Sequence, residues 1–135
     1  MKINTPKFQA ILDELCCNWI GCDPQLGVNS EVDELPDLGT IYFLCDEDDE
    51  ILYIGQTKQL RIRAFQHLAS EKMRKKSKDW VKTWYIQTPL GNESTRLKYE
   101  AILILLVSPP INQALMPKKN KSKQWRAIRW KRKRR

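Results

Sequence analysis

The chain has 135 residues, with 24 Lys or Arg against 16 Asp or Glu and a formal charge of +8. That length suits one domain with a modest core, and a hydrophobic fraction of 41% is ordinary for a globular protein. No apolar run approaches the ~18–20 residues that a membrane helix needs, so a helical membrane protein is excluded.

The opening MKINTPKFQA lacks the charged-then-apolar layout of a secretory signal, which makes a cytoplasmic protein the expectation. Phe8, Ile11, Leu12, Leu15 and Trp19 recur at three- and four-residue steps and predict an amphipathic helix over 5–20. The stretch 21–39, punctuated by Gly21, Pro24, Gly27, Pro36 and Gly39, reads as loop. Cys16, Cys17, Cys22 and Cys45 form no CxxC pair and lie far in sequence from the one histidine, His67; they read as idle thiols, not a zinc site.

Two strands follow, near 40–45 (TIYFLC) and 50–55, joined by the acidic turn DEDDE. Residues 58–72 predict a helix with Leu60, Ala64 and Leu68 as its apolar stripe, flanked by Arg63 and His67. KMRKKSKD then reads as a basic loop, either solvated or a second phosphate contact. WVKTWYIQT, 80–88, alternates as a third strand, and PLGNEST is a turn capping a helix that starts near Thr95. That helix, with the apolar run AILILLV, ends before Pro109 and Pro110, because the residue before a proline disfavours helix.

Eleven Lys or Arg and no acidic residue lie between Lys118 and Arg135, leaving 13 basic and 16 acidic residues elsewhere. The basic character is therefore an appendage on a formally acidic body, of the kind that binds polyanions through counterion release or simply stays solvated. Trp125 and Trp130 within it would stack on bases or pack back on the core, while Lys131, Arg132, Lys133, Arg134 and Arg135 are expected to contact phosphates without reading sequence. The implied division is an N-terminal helix and loop over 1–38, a central domain over 39–116 and a basic tail over 117–135. Strands and helices in this order predict an α+β domain.

Several residues in the central region are suited to chemistry. Tyr42 and Tyr53 occupy neighbouring strands, where aromatic cross-strand packing alone would account for them. Arg63 and His67 are four apart and share one helix face, a pair able to hold a phosphate and move a proton, or merely exposed surface. Glu100 is surrounded by apolar residues in LKYEAILILLV, and a carboxylate there needs a partner. Arg96, one turn back, would supply an ion pair; a hard divalent cation shared with phosphate oxygens is the other reading.

Taken together, TIY at 40–42, YIG at 53–55, Arg63, His67, Glu100 and Asn112 resemble the GIY-YIG nuclease family over residues 39–112. The resemblance implies a small three-stranded antiparallel sheet flanked by helices, and divalent-metal-dependent cleavage of DNA with Mg²⁺ or Mn²⁺. It implies Glu100 as metal ligand, Arg63 on the scissile phosphate, Tyr42 and His67 as candidates for activating water, Tyr53 lining the site and Asn112 supporting its geometry. Thr40 stands where the first motif usually has glycine. Gln56 stands where some relatives carry a lysine able to lower the tyrosine's pKa, which shifts the expected proton acceptor to His67. A binding module of the same fold without cleavage is the alternative; retention of the whole residue set argues against it. A basic RNA-associated protein, supported by the tail alone, ranks last.

Overall fold

A computed structural model describes residues 1–19, 25–87, 90 and 92–115, and at its centre lies the run TIYFLC. This strand is buried at all six positions because both of its faces are covered. Ile41, Phe43 and Cys45 enter one apolar cluster, while Tyr42 and Leu44 enter another on the opposite face. Each fully buried Ile, Leu or Phe contributes roughly 1.5–3 kcal/mol relative to exposure.

In chain order the elements are α1 (Pro6–Trp19), β1 (Leu26–Asn29), β2 (Thr40–Cys45), β3 (Ile51–Thr57) and α2 (Leu60–Ala69). After them come α3 (Glu71–Lys76), β4 (Lys82–Ile86), α4 (Glu93–Val107) and α5 (Pro110–Leu115). The sheet has the order β1-β4-β2-β3 and is antiparallel throughout. One face is covered by α1, through Phe8, Leu12 and Leu15, and by α4, through Tyr99 and Leu103. Phe8 meets Phe43 edge-on at 5.4 Å. The other face receives Leu60 and Ala64 of α2, Met73 of α3 and Ile111 of α5.

The sheet thus has four strands where three were expected. The extra strand, Leu26–Asn29, lies inside the stretch read as loop, and pairs Leu26 with Ile86 and Asn29 with Thr83. Gly27 fits it because the Tyr85 phenol of β4 lies across the glycine, in the space a Cβ would fill. The basic segment read as loop is also structured. Ser70 caps α3 by accepting from the Met73 N–H at 3.3 Å, and Met73 anchors the helix in the core.

In α4 the cap is Asn92, whose side chain accepts from the Thr95 N–H at 2.9 Å, so the helix begins at Glu93. It ends at Ser108 in the left-handed region, φ 51°. Its apolar run is only partly buried: Leu103 is in the core, whereas Leu105 and Leu106 are exposed. The short helix α5 after the prolines was not foreseen. Cys16 and Cys45 are buried. Among the described residues no helix is long and apolar enough to cross a membrane.

Candidate active site

The hairpin β2–β3 brings the two tyrosines to one face. Its register opposes Tyr42 to Gly55 and Leu44 to Tyr53. The phenol of Tyr42 lies over Gly55, where any Cβ would collide with its ring and hydroxyl. The glycine of YIG is thus required by the side chain of the neighbouring strand. The rings of Tyr42 and Tyr53 stand 6.1 Å apart.

α2 follows β3 after two residues and lays its buried face on this hairpin. That face is Leu60, Ala64 and His67, not Leu60, Ala64 and Leu68. Leu68 is 43% exposed and His67 only 4%. Histidine takes the inward position because it has a partner there: Tyr42 Oη and His67 Nε2 are 2.6 Å apart. With Nε2 unprotonated, Tyr42 is the donor. The imidazole is further enclosed by Tyr53 at 5.3 Å and Trp80 at 6.4 Å between ring centres.

Burial sets the charge state of this pair. It pushes the Tyr42 hydroxyl far above its ordinary value, reinforced by Tyr53 and only partly opposed by Arg63. It also pushes His67 down to about 4, helped by the charge of Arg63. Near neutrality both groups are uncharged, with a proton held between two non-ionised partners. Tyr53 is likewise raised by burial, against the pull of Arg63.

Arg63 is exposed at the mouth of the site, one turn before His67, and its guanidinium lies against both phenols. Its Nη1 donates to Gln66 Oε1 at 3.3 Å. Glu100 reaches the same place from α4, which packs beside β3. The carboxylate is half-buried, and burial raises its pKa against the backbone N–H of Gln56 and the charge of Arg63. Arg96, weighed as its ion-pair partner, directs Nε to Gln56 Oε1 and Nη1 to the Leu90 carbonyl, each at 3.2 Å. Asn112 pairs with the free edge of β3 as a strand would: Ile54 N–H donates to Oδ1 at 2.8 Å, and Nδ2 donates to the Ile54 carbonyl at 2.9 Å. It thereby pins α5 to the residue between Tyr53 and Gly55.

The profile of the GIY-YIG catalytic domain matches residues 38–113. The chain belongs to the GIY-YIG family. Among solved structures it is similar to the N-terminal GIY-YIG endonuclease domain of UvrC from Thermotoga maritima, bound to its catalytic divalent cation, magnesium. That likeness is at 23% identity and a TM-score of 0.50, over 58% of this chain and 88% of that one. An asparagine-to-alanine point mutant of the same domain, bound to its catalytic divalent cation, matches at 23% identity and a TM-score of 0.50, over 58% and 87%. A tyrosine-to-phenylalanine mutant matches at 22% and 0.50, over 58% and 88%. At this identity the likeness concerns the fold. A search of curated proteins finds no match.

The two departures from the GIY-YIG motifs are each accommodated. Thr40 is fully buried and its hydroxyl donates to the Ile86 carbonyl at 2.6 Å, tying β2 to the end of β4. Gln56 serves twice, its backbone N–H at Glu100 and its carboxamide at Arg96. Sequence reasoning gave Gln56 no such role, because neither of its partners is near it in the chain. Of the expected site residues, Tyr42, Tyr53, Arg63, His67, Glu100 and Asn112 gather around the β2–β3 hairpin. Lys131, Arg132, Lys133, Arg134 and Arg135, with Trp125 and Trp130, lie outside the described residues.

Proposed function

We propose that this GIY-YIG nuclease is a divalent-metal-dependent DNA endonuclease that hydrolyses phosphodiester bonds. The observation that carries the reading is the buried Tyr42–His67 contact, beside which Arg63 and Glu100 approach from different helices. Among the described residues no cluster of three or more His, Cys, Asp or Glu is arranged for a metal. A lone half-buried carboxylate suits Mg²⁺ or Mn²⁺, which takes its remaining ligands from water and phosphate. Glu100 would hold such an ion, which would supply charge neutralisation at the phosphoryl oxygens and at the departing alkoxide.

The chain's own groups do the rest. Arg63 holds the scissile phosphate with a planar, permanently charged donor. Tyr42 accepts a proton from the attacking water as its own hydroxyl proton passes to His67 Nε2. Tyr42 stays neutral throughout and His67 becomes the cation, so the step never requires Tyr42, whose pKa is raised, to exist as a phenolate. His67, uncharged near neutrality, is ready to receive that proton. Tyr53 walls the site, and Asn112 holds the strand that carries it. Because the residues outside the tail are formally acidic in sum, DNA is retained by the tail of eleven cations. The reading places the protein in the cytoplasm.

The test is nicking of plasmid, branched and single-stranded DNA by the wild type and by Glu100→Ala, in Mg²⁺ and in chelator. The wild type should cut in Mg²⁺ only, and Glu100→Ala should lose ~10²–10³-fold or more in rate while still binding. A wild type that binds every substrate and nicks none would instead identify a binding module of the same fold.

A further inference from the structure

Next to Arg63 opens a cavity of about 360 Å³ that Tyr42, Tyr53, His67 and Glu100 do not line. Its walls come from the end of β3, the two residues before α2 and the first turns of α2 and α4, whose helix N-termini add partial positive charge. Three cations face it, Lys58, Arg63 and Arg96, against one carboxylate, Glu93, a formal balance of +2. The remaining walls are carboxamides and a hydroxyl, with Ile62 as the one aliphatic side chain.

Arg96 gives this cavity a fixed charge. It is 7% exposed, and its guanidinium is held by Gln56 Oε1 and the Leu90 carbonyl. Gly39 makes room for it, since a Cβ there would come within 3.0 Å of Nη1. Lys58 is exposed and forms no ion pair among the described residues. No aromatic face is present on which a base would stack, and a single carboxylate among three cations does not suit a metal.

We propose that the cavity is a subsite for a second phosphodiester group of the cleaved strand, next to the phosphate held by Arg63. The proposal rests on the nuclease reading above. Arg63 forms the wall shared by the two sites, Arg96 supplies a preset charge, and Lys58 closes on the phosphate from solvent. Glu93 stands at the rim and repels it, which limits how tightly the strand is held after cleavage.

Lys58→Gln and Glu93→Gln test the subsite in the full chain, since neither residue belongs to the catalytic set. Binding of a 30-mer DNA duplex is measured in chelator as a function of salt, and cleavage of the same duplex in Mg²⁺. Lys58→Gln should weaken binding about fivefold at low salt, uniformly across sequences, and lower the salt slope by about 1. In the cleavage assay KM should rise with kcat within twofold, and thermal unfolding should be unchanged. Glu93→Gln should do the reverse, tightening binding two- to threefold. Unaltered affinity and salt slope in Lys58→Gln would overturn the subsite even if the wild type cuts DNA. A slope that falls in chelator while the wild type cuts nothing in Mg²⁺ would uphold the subsite and sink the nuclease reading.

Discussion

The sheet uses one packing device twice. In the β2–β3 pair Tyr42 covers Gly55, and in the β1–β4 pair Tyr85 covers Gly27, each phenol lying where the glycine leaves no Cβ. Tyr42 and Tyr85 are themselves cross-strand partners between β2 and β4. What separates them is the environment of the hydroxyl. Tyr42 is 1% exposed, bonded to His67 and beside Arg63, whereas Tyr85 is half-exposed and outside that group. A tyrosine over a glycine is therefore a way to pack a sheet. On the function proposed above, it becomes chemistry only where a helix delivers an acceptor and a charge to the phenol oxygen.

The largest effect expected from this contrast is at Tyr42. Tyr42→Phe keeps the ring over Gly55 and removes only the hydroxyl, so kcat should fall ~10²-fold or more while unfolding free energy drops by about 1 kcal/mol. Single-turnover cleavage with urea denaturation reads both. Activity retained within a few-fold would return Tyr42 to the same standing as Tyr85.

Next come the glycines. A Cβ at either position forces its covering phenol aside, at roughly 1–3 kcal/mol by overpacking. Gly55→Ala should also displace the Tyr42 hydroxyl from His67 and cost at least tenfold in rate. Gly27→Ala should cost stability alone, with the rate per folded molecule unchanged. Equal loss of activity in both variants would mean that sheet geometry, not the Tyr42–His67 contact, limits the reaction.

The same contrast explains what the sequence disclosed. Tyr42, Tyr53, Arg63, His67, Glu100 and Asn112 were legible as a set because their order and spacing together resemble the GIY-YIG motifs, whereas the tyrosine pair, the Arg63–His67 pair and Glu100 each had an ordinary packing or surface reading. Periodicity put Leu68 on the buried stripe of α2, although 60-64-67 is as good a helical face as 60-64-68. His67 wins because the hydroxyl of Tyr42 awaits it, a long-range fact. Leu26–Asn29 was hidden for a related reason: Gly27 reads as a loop former until Tyr85 is known to lie over it. In α3 a single anchor, Met73, among four basic residues leaves no apolar period to detect. Asn112 was visible as a motif residue, but its pairing with the β3 edge depends on β3 being the outermost strand.

A smaller effect concerns pH. The unfolded chain takes up a proton on His67 near pH 6.5, whereas the folded site refuses it until about pH 4. The unfolded state thus binds more protons in that window, so stability is fully present above it and falls as pH decreases through it. Glu100, with its raised pKa, works in the opposite direction as pH falls. Denaturation compared in a Glu100→Gln background isolates His67. Between pH 7 and 5 the parent should lose about 1 kcal/mol more than the same protein carrying His67→Gln, allowing for screening at the open side of the site. Identical losses would mean that His67 titrates normally and that burial does not control its charge.

The smallest effect expected is at Tyr85, and it is the one that makes the comparison strict. Tyr85→Phe keeps the ring that covers Gly27 and removes a hydroxyl with no part in the Tyr42–His67–Arg63 group. Stability should change by no more than about 0.5 kcal/mol, and kcat and KM should match the wild type. Tyr85 nevertheless faces Tyr42 across the β2–β4 ladder, so a change in β4 has a direct route to the site. A fall in kcat with unchanged stability would show that the proton group extends across the sheet to Tyr85, and that the separation between the packing tyrosine and the reacting one is not complete.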